Sequence, residues 1–155
     1  MSDDNPYQPP SVAVHDVAQA DPRARLYSVA GITLAAFVGS AFAGGLLMAL
    51  NYRSLGEPVK ARNALVLAFF ATAAVLALAM VLPESVPGLA FVLPQLLVVQ
   101  MLARKLQGVA IGAHQARGAA MHSNWLAFGI SLLVAAALVA IAVVVVFLLP
   151  ASLLA

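Results

Sequence analysis

Four long apolar segments, none of which contains Asp, Glu, Lys or Arg, constrain the possible fold of this chain more than any other feature. They cover about residues 26–50, 63–82, 86–103 and 125–149. A helix needs roughly 20 apolar residues to cross a hydrocarbon core of about 30 Å, and each segment is near that length. The whole chain is 63% hydrophobic and 9% charged, which is typical of a polytopic helical membrane protein. The sequence therefore predicts an all-α transmembrane helical bundle with four hydrophobic segments, in a single domain over residues 26–155.

Residues 1–25 have a different composition from the rest of the chain. They contain four Pro and four Asp residues and few large apolar ones. Such a stretch cannot bury enough apolar surface to fold alone. We expect it to form a flexible tail.

The basic residues predict the orientation of the chain, because Lys and Arg concentrate on the cytoplasmic side of membrane proteins. Two lie in the tail, three follow the first apolar segment and three follow the third: Arg23 and Arg25, then Arg53, Lys60 and Arg62, then Arg104, Lys105 and Arg117. Four full crossings with the N-terminus outside place six of these eight residues inside. A first segment that enters and leaves by the same side places all eight inside.

Small residues in the first segment favour one continuous helix. They occupy two neighbouring columns at four-residue spacing, a pattern typical of close helix packing. The candidates for this packing face are Gly31, Ala35, Gly39, Ser40, Ala43 and Gly44. The face would suit association with another copy or with a partner helix.

The alternative for the first segment is a re-entrant hairpin, giving three full spans in total. The glycine-rich stretch 39–45 could form its turn, provided that the other three helices enclose the turn within the membrane. A third interpretation is a cleavable signal peptide ending near residues 41–43. Cleavage there would leave most basic residues outside, which argues against it.

Few polar side chains lie within or beside the apolar segments. Gln95 and Gln100, next to Pro94 in the third segment, are candidates for hydrogen bonds between helices or for the lining of a polar path. A cytoplasmic basic surface is predicted at Arg53, Lys60, Arg62, Arg104 and Lys105, within reach of lipid headgroups.

The residue types argue against catalysis. Cysteine is absent, and four of the six acidic residues lie in the tail. His114 and His122 are eight residues apart and have no carboxylate or thiol nearby in the sequence, so they do not form a metal-binding pattern. We therefore expect no enzyme activity, no catalytic residue, no cofactor, no metal and no nucleic-acid partner.

Four stretches, at residues 37–45, 51–56, 106–114 and 122–125, resemble a group of small bacterial inner-membrane proteins over roughly residues 26 to 130. Members of that group are described only as membrane proteins. The resemblance implies a location in the bacterial inner membrane and transfers no functional residue.

The sequence thus predicts a non-enzymatic structural or interaction protein of the inner membrane. Its expected partners are the lipid bilayer and either a second copy or another membrane protein. The alternative is a small oligomeric transporter or pore built around the third segment. A weaker third hypothesis is a binder of lipid headgroups.

Overall fold

A computed structural model describes residues 24–83 and 85–148, so most of the predicted tail lies outside the described residues. This part of the chain contains the helices α1 (Val29–Ser54), α2 (Pro58–Val81), α3 (Leu89–Ala116) and α4 (Asn124–Leu148). All are long and apolar enough to cross a membrane. The predicted all-α bundle with four hydrophobic segments is confirmed, and these helices mark the chain as an integral membrane protein.

Helix α1 folds back on itself. Its backbone leaves helical geometry at Gly39 (φ −117°, ψ 18°) and Ser40 (φ 75°, ψ 176°). The Asn51 side chain accepts a hydrogen bond from the Tyr27 N–H at 2.7 Å and donates one to the Tyr27 carbonyl at 2.9 Å. A straight helix would separate these two residues by about 36 Å. The segment is therefore a hairpin with two arms, residues 29–38 (arm one) and 41–54 (arm two).

This geometry corrects the expectation of a continuous first helix. Length and composition alone would count α1 as a fourth crossing, but its two ends lie together at one end of the bundle. The arms are about 15 and 21 Å long, roughly half of a hydrocarbon core or slightly more. The hairpin of the alternative interpretation is the course that the backbone follows.

Small residues make the hairpin possible. A Cβ atom at Gly44, in arm two, would lie 3.0 Å from the Ala36 Cβ in arm one and 2.8 Å from a Val99 methyl group in α3. A larger side chain at this position would push the arms and α3 apart. At the tip, the Ser40 hydroxyl accepts a 3.3 Å hydrogen bond from the Phe42 N–H and so caps arm two.

Helices α2, α3 and α4 surround the hairpin. Each packs against α1, whereas contacts among the three are slight. Their buried residues all lie at the level of the hairpin: Ala61, Ala68 and Thr72 in α2, Val99, Ala103, Gln107, Ile111 and His114 in α3, and Ala127 and Ser131 in α4. Beyond that level, none of their described residues is buried. The hairpin thus fills only one half of the bundle.

The two halves differ in composition. We call one the basic half; it comprises residues 24–72 and 99–131. We call the other the distal half; it comprises the described residues in 73–98 and 132–148. All seven Lys and Arg residues in the described ranges belong to the basic half. Helix α3 continues about three turns past the apolar segment that ends near residue 103, and its end packs on the base of the hairpin through Ile111.

Close packing at Gly45 generates a first prediction. A Cβ atom there would overlap the Ala68 Cβ in α2, whereas a Cβ at Gly129 in α4 would meet open space. We expect Gly45→Ala to lower the free energy of unfolding by about 1–3 kcal/mol through overpacking. The matched Gly129→Ala should be neutral or stabilising by up to about 1 kcal/mol, because Ala favours helix over Gly. Unfolding titrations in detergent micelles measure both; equal effects of the two changes would contradict this packing.

Candidate functional site

A buried network of amides joins the two ends of the hairpin to α3. The Asn51 side chain, which contacts Tyr27, also donates to the Gln107 side-chain oxygen at 3.0 Å. Gln107 in turn donates to the Met48 carbonyl at 2.8 Å. Asn51 and Gln107 are 0% and 1% exposed, so water does not compete for these groups. The network fixes the base of the hairpin and occupies the polar groups of both side chains.

The connection between α3 and α4 closes over the same base. The His122 N–H donates to the Leu26 carbonyl at 2.9 Å, and the His122 ring stacks on Tyr27 with centroids 4.3 Å apart. Burial, helped by the positive charge of Arg25, lowers the pKa of His122 and favours its neutral form. These contacts tie the segment before α1 to the residues before α4.

The two histidines of the described region serve in different structural contacts. His114 is buried, and its Nε2 lies 3.2 Å from the Ala120 carbonyl oxygen. His122 stacks on Tyr27 instead. Within residues 24–83 and 85–148, no three His, Cys, Asp or Glu side chains come close enough together to hold a metal ion.

A long apolar cleft opens between α2 and α3. It has a volume of about 600 Å³, and arm two forms its floor with residues including Ala41, Gly45 and Met48. Carbon atoms line nearly all of it. The polar lining is confined to Gln95 along the wall and to a cluster at the basic end formed by Tyr52, Lys60 and Asn63. The cleft can therefore hold an apolar chain, with a polar group at one end.

The structure separates the two glutamines predicted for the third segment. Gln95 lines the cleft between α2 and α3. Gln100 lies on another face of α3, in a shallow depression with Arg104 and Lys105. The two amides thus face different surroundings, and only Gln95 can contact a molecule in the cleft.

The predicted helix-packing residues are used within the chain. Gly31 lies against Asn124 and Ala127 of α4, and a Cβ at Gly39 would lie 2.5 Å from the Ser131 carbonyl oxygen. The other predicted positions are buried or half-buried in the same core: Ala35, Ser40, Ala43 and Gly44. This face packs against the chain's own helices, so it gives no argument for an outward interface.

The predicted basic surface lies around the base of the hairpin. Arg53 ends arm two, and Lys60 and Arg62 follow in the first turns of α2. Arg104 and Lys105 precede Gln107 by one turn or less. Lys60 forms an exposed 2.7 Å ion pair with Glu57, while Arg53, Arg62, Arg104 and Lys105 are exposed.

Sequence reasoning missed the amide network. Asn51 lies in the connection after the first apolar segment, and Gln107 lies in the stretch after the third. Each is an amide just past the end of an apolar segment, which was the only local signal. Their pairing across 56 positions depends on the hairpin that brings residues 27 and 51 together.

Comparison with known proteins does not assign the chain to a family. No protein-family model matches it, and no curated protein or solved structure shows significant similarity to it. Functional inference therefore depends on the geometry of the described residues.

The amide network leads to a second prediction. Asn51→Leu removes the partner of the Tyr27 N–H and carbonyl and of the Gln107 side-chain oxygen. We expect it to lower the free energy of unfolding by at least about 3 kcal/mol, since each of these three buried groups costs roughly 1–3 kcal/mol when left without a partner. The control Gln115→Leu changes an exposed amide near the end of α3 and should stay within about 0.5 kcal/mol of wild type. Equal stability of the two variants in detergent would show that the network does not hold the base.

Proposed function

We propose that this chain is a non-enzymatic interaction protein of the bacterial inner membrane, with α2, α3 and α4 crossing the bilayer around a re-entrant hairpin. The hydrogen bonds between Tyr27 and Asn51 are the observation that carries this arrangement. Because they join the two ends of the first apolar segment, they support its entry and exit on one side of the bilayer. Helices α2, α3 and α4, at about 36, 42 and 37 Å, are each long enough for a full crossing.

The charge distribution supports an orientation with the basic half towards the cytoplasm. The seven Lys and Arg residues between positions 24 and 148 lie in that half, and Glu57 is the one acidic residue that the structure describes there. Lys and Arg are retained on the cytoplasmic side during insertion. With a re-entrant first segment, the N-terminus also lies inside.

Cysteine accessibility tests this topology in a chain that has no native cysteine. Single cysteines are placed at Ser2, Ser54, Ser85 and Ser123 and treated with a membrane-impermeant maleimide from outside intact cells. We expect labelling at Ser85 alone, because it lies between α2 and α3 at the distal end. Labelling at both Ser2 and Ser85 would instead show that the first segment crosses and would reject the hairpin topology.

Two observations support an interaction role over catalysis. The buried amides and His114 are engaged in hydrogen bonds that hold the fold, which leaves them unavailable as free reactive groups. In the distal half, α2, α3 and α4 lack the central partner that the hairpin supplies in the basic half. We propose that a second copy of the chain packs against this half.

Crosslinking of single cysteines in native membranes tests this association. Val139 and Leu126 both lie exposed on α4, the first in the distal half and the second in the basic half. We expect oxidation to give a dimer with Val139→Cys and little dimer with the matched Leu126→Cys. Absence of a dimer with Val139→Cys, or equal dimer yields from the two variants, would reject self-association through the distal half.

A small transporter or pore remains the second candidate, because Gln95 gives the cleft wall a hydrogen-bonding group next to Pro94. Transport predicts tracer flux in proteoliposomes that Gln95→Leu lowers and Gln100→Leu leaves unchanged, since Gln100 lies on another face of α3. An interaction protein predicts no flux above that of empty liposomes. The assay thus separates the two functions without reference to self-association.

A further inference from the structure

We propose that the α2–α3 cleft is a binding site for an anionic phospholipid, with one acyl chain in the cleft and the headgroup phosphate at Lys60. This inference goes beyond the proposed interaction role and does not depend on it. It requires a cleft of suitable width, an apolar lining and a cation at the correct end.

The size of the cleft suits a hydrocarbon chain. Its lining runs from Lys60 to Leu78 along α2, about 27 Å at the helical rise. A polymethylene chain about 4–5 Å across, as carbon contact distances imply, occupies roughly 340–530 Å³ over that length. The cleft volume of about 600 Å³ is therefore large enough to hold one such chain.

The lining of the cleft changes from polar to apolar along its length. Tyr52, Lys60 and Asn63 lie at the basic end, while the lining beyond them is carbon apart from Gln95. A phospholipid has the same gradient, because its charged headgroup lies at the membrane surface and its chains lie in the interior. A fully apolar ligand would gain nothing from the cation at the entrance.

Lys60 can bind a phosphate group while it keeps its ion pair with Glu57. Its ammonium group contacts the Glu57 carboxylate at 2.7 Å and lies 6.0 Å from the centre of the Tyr52 ring. An ammonium group has three N–H donors, so two remain for phosphate oxygens. Its side chain is 61% exposed, which leaves room for a headgroup.

The part of the cleft on the basic side, from Lys60 to Ala71, matches the thickness of one leaflet. A single leaflet is about 15 Å of hydrocarbon, or about ten residues of α2. Counted from Lys60, this distance ends near Ala71, which lines the cleft together with Ala41 next to the tip of the hairpin. The acyl chain of the lipid would therefore lie against arm two through the whole thickness of the leaflet on the basic side.

Native mass spectrometry of the full chain in detergent tests the site with two probes, phosphatidylglycerol and phosphatidylcholine of identical acyl chains. We expect phosphatidylglycerol to be retained more strongly. Lys60→Gln should weaken its binding about fivefold, as expected for one cation at a headgroup. The matched Lys105→Gln removes the same charge from another face of α3 and should have no effect.

A second pair of variants tests the cleft itself. Ala71→Phe fills the lining, and Ala74→Phe adds the same side chain to an exposed position of α2 outside it. We expect the first to abolish lipid retention and the second to preserve it. The proposal is overturned if Ala71→Phe retains lipid like wild type, or if both lipids bind equally and Lys60→Gln changes neither. A dimer that forms only when the cleft is free of lipid would also overturn it, by assigning the cleft to a second copy.

Discussion

The contact between the Asn51 side chain and the Tyr27 backbone is the constraint on which the rest of the structure depends. It forces the first apolar segment to turn back, and a turn exposes backbone groups that hydrocarbon cannot satisfy. Such a turn is tolerated at membrane depth only inside protein. Helices α2, α3 and α4 meet this requirement by packing on the hairpin from three sides rather than on one another. The hairpin is therefore the core of the bundle.

This arrangement explains where small and large residues lie. Inside, Gly39, Gly44 and Gly45 allow two arms and three helices to share a narrow space. Outside, large apolar side chains such as Phe69 and Leu133 are exposed, as lipid contact requires. The interior is thus closely packed, and the side-chain amides of Asn51 and Gln107 form hydrogen bonds that stabilise the fold. Among the described residues, two places offer apolar surface for binding: the cleft between α2 and α3, and the distal half that the hairpin does not reach.

The helical class and the four apolar segments could be predicted from the sequence because both depend on local composition. The course of the first segment could not be decided in that way. Small residues at four-residue spacing can form the packing face of a straight helix. The small residues at 39–45 can equally well form a turn, so the sequence fits both structures. The basic residues favoured the hairpin, while the cost of buried backbone favoured the helix. Whether the other helices enclose the turn is a long-range property, as is the pairing of Asn51 with Gln107.

Ser40 shows how the proposed membrane setting changes the balance of local energies. Of the non-glycine residues that the structure describes, Ser40 alone has a positive φ. Its φ of 75° and ψ of 176° lie in a region that glycine dominates. That conformation costs on the order of 1–3 kcal/mol. In water, exchanging a capping serine for glycine costs only a few tenths of a kcal/mol, so glycine would be the better residue. At membrane depth, a backbone N–H without a partner costs several kcal/mol. The Ser40 hydroxyl accepts the hydrogen bond of the Phe42 N–H. The free energy gained from this bond exceeds the cost of the strained Ser40 backbone only if the tip of the hairpin is shielded from water.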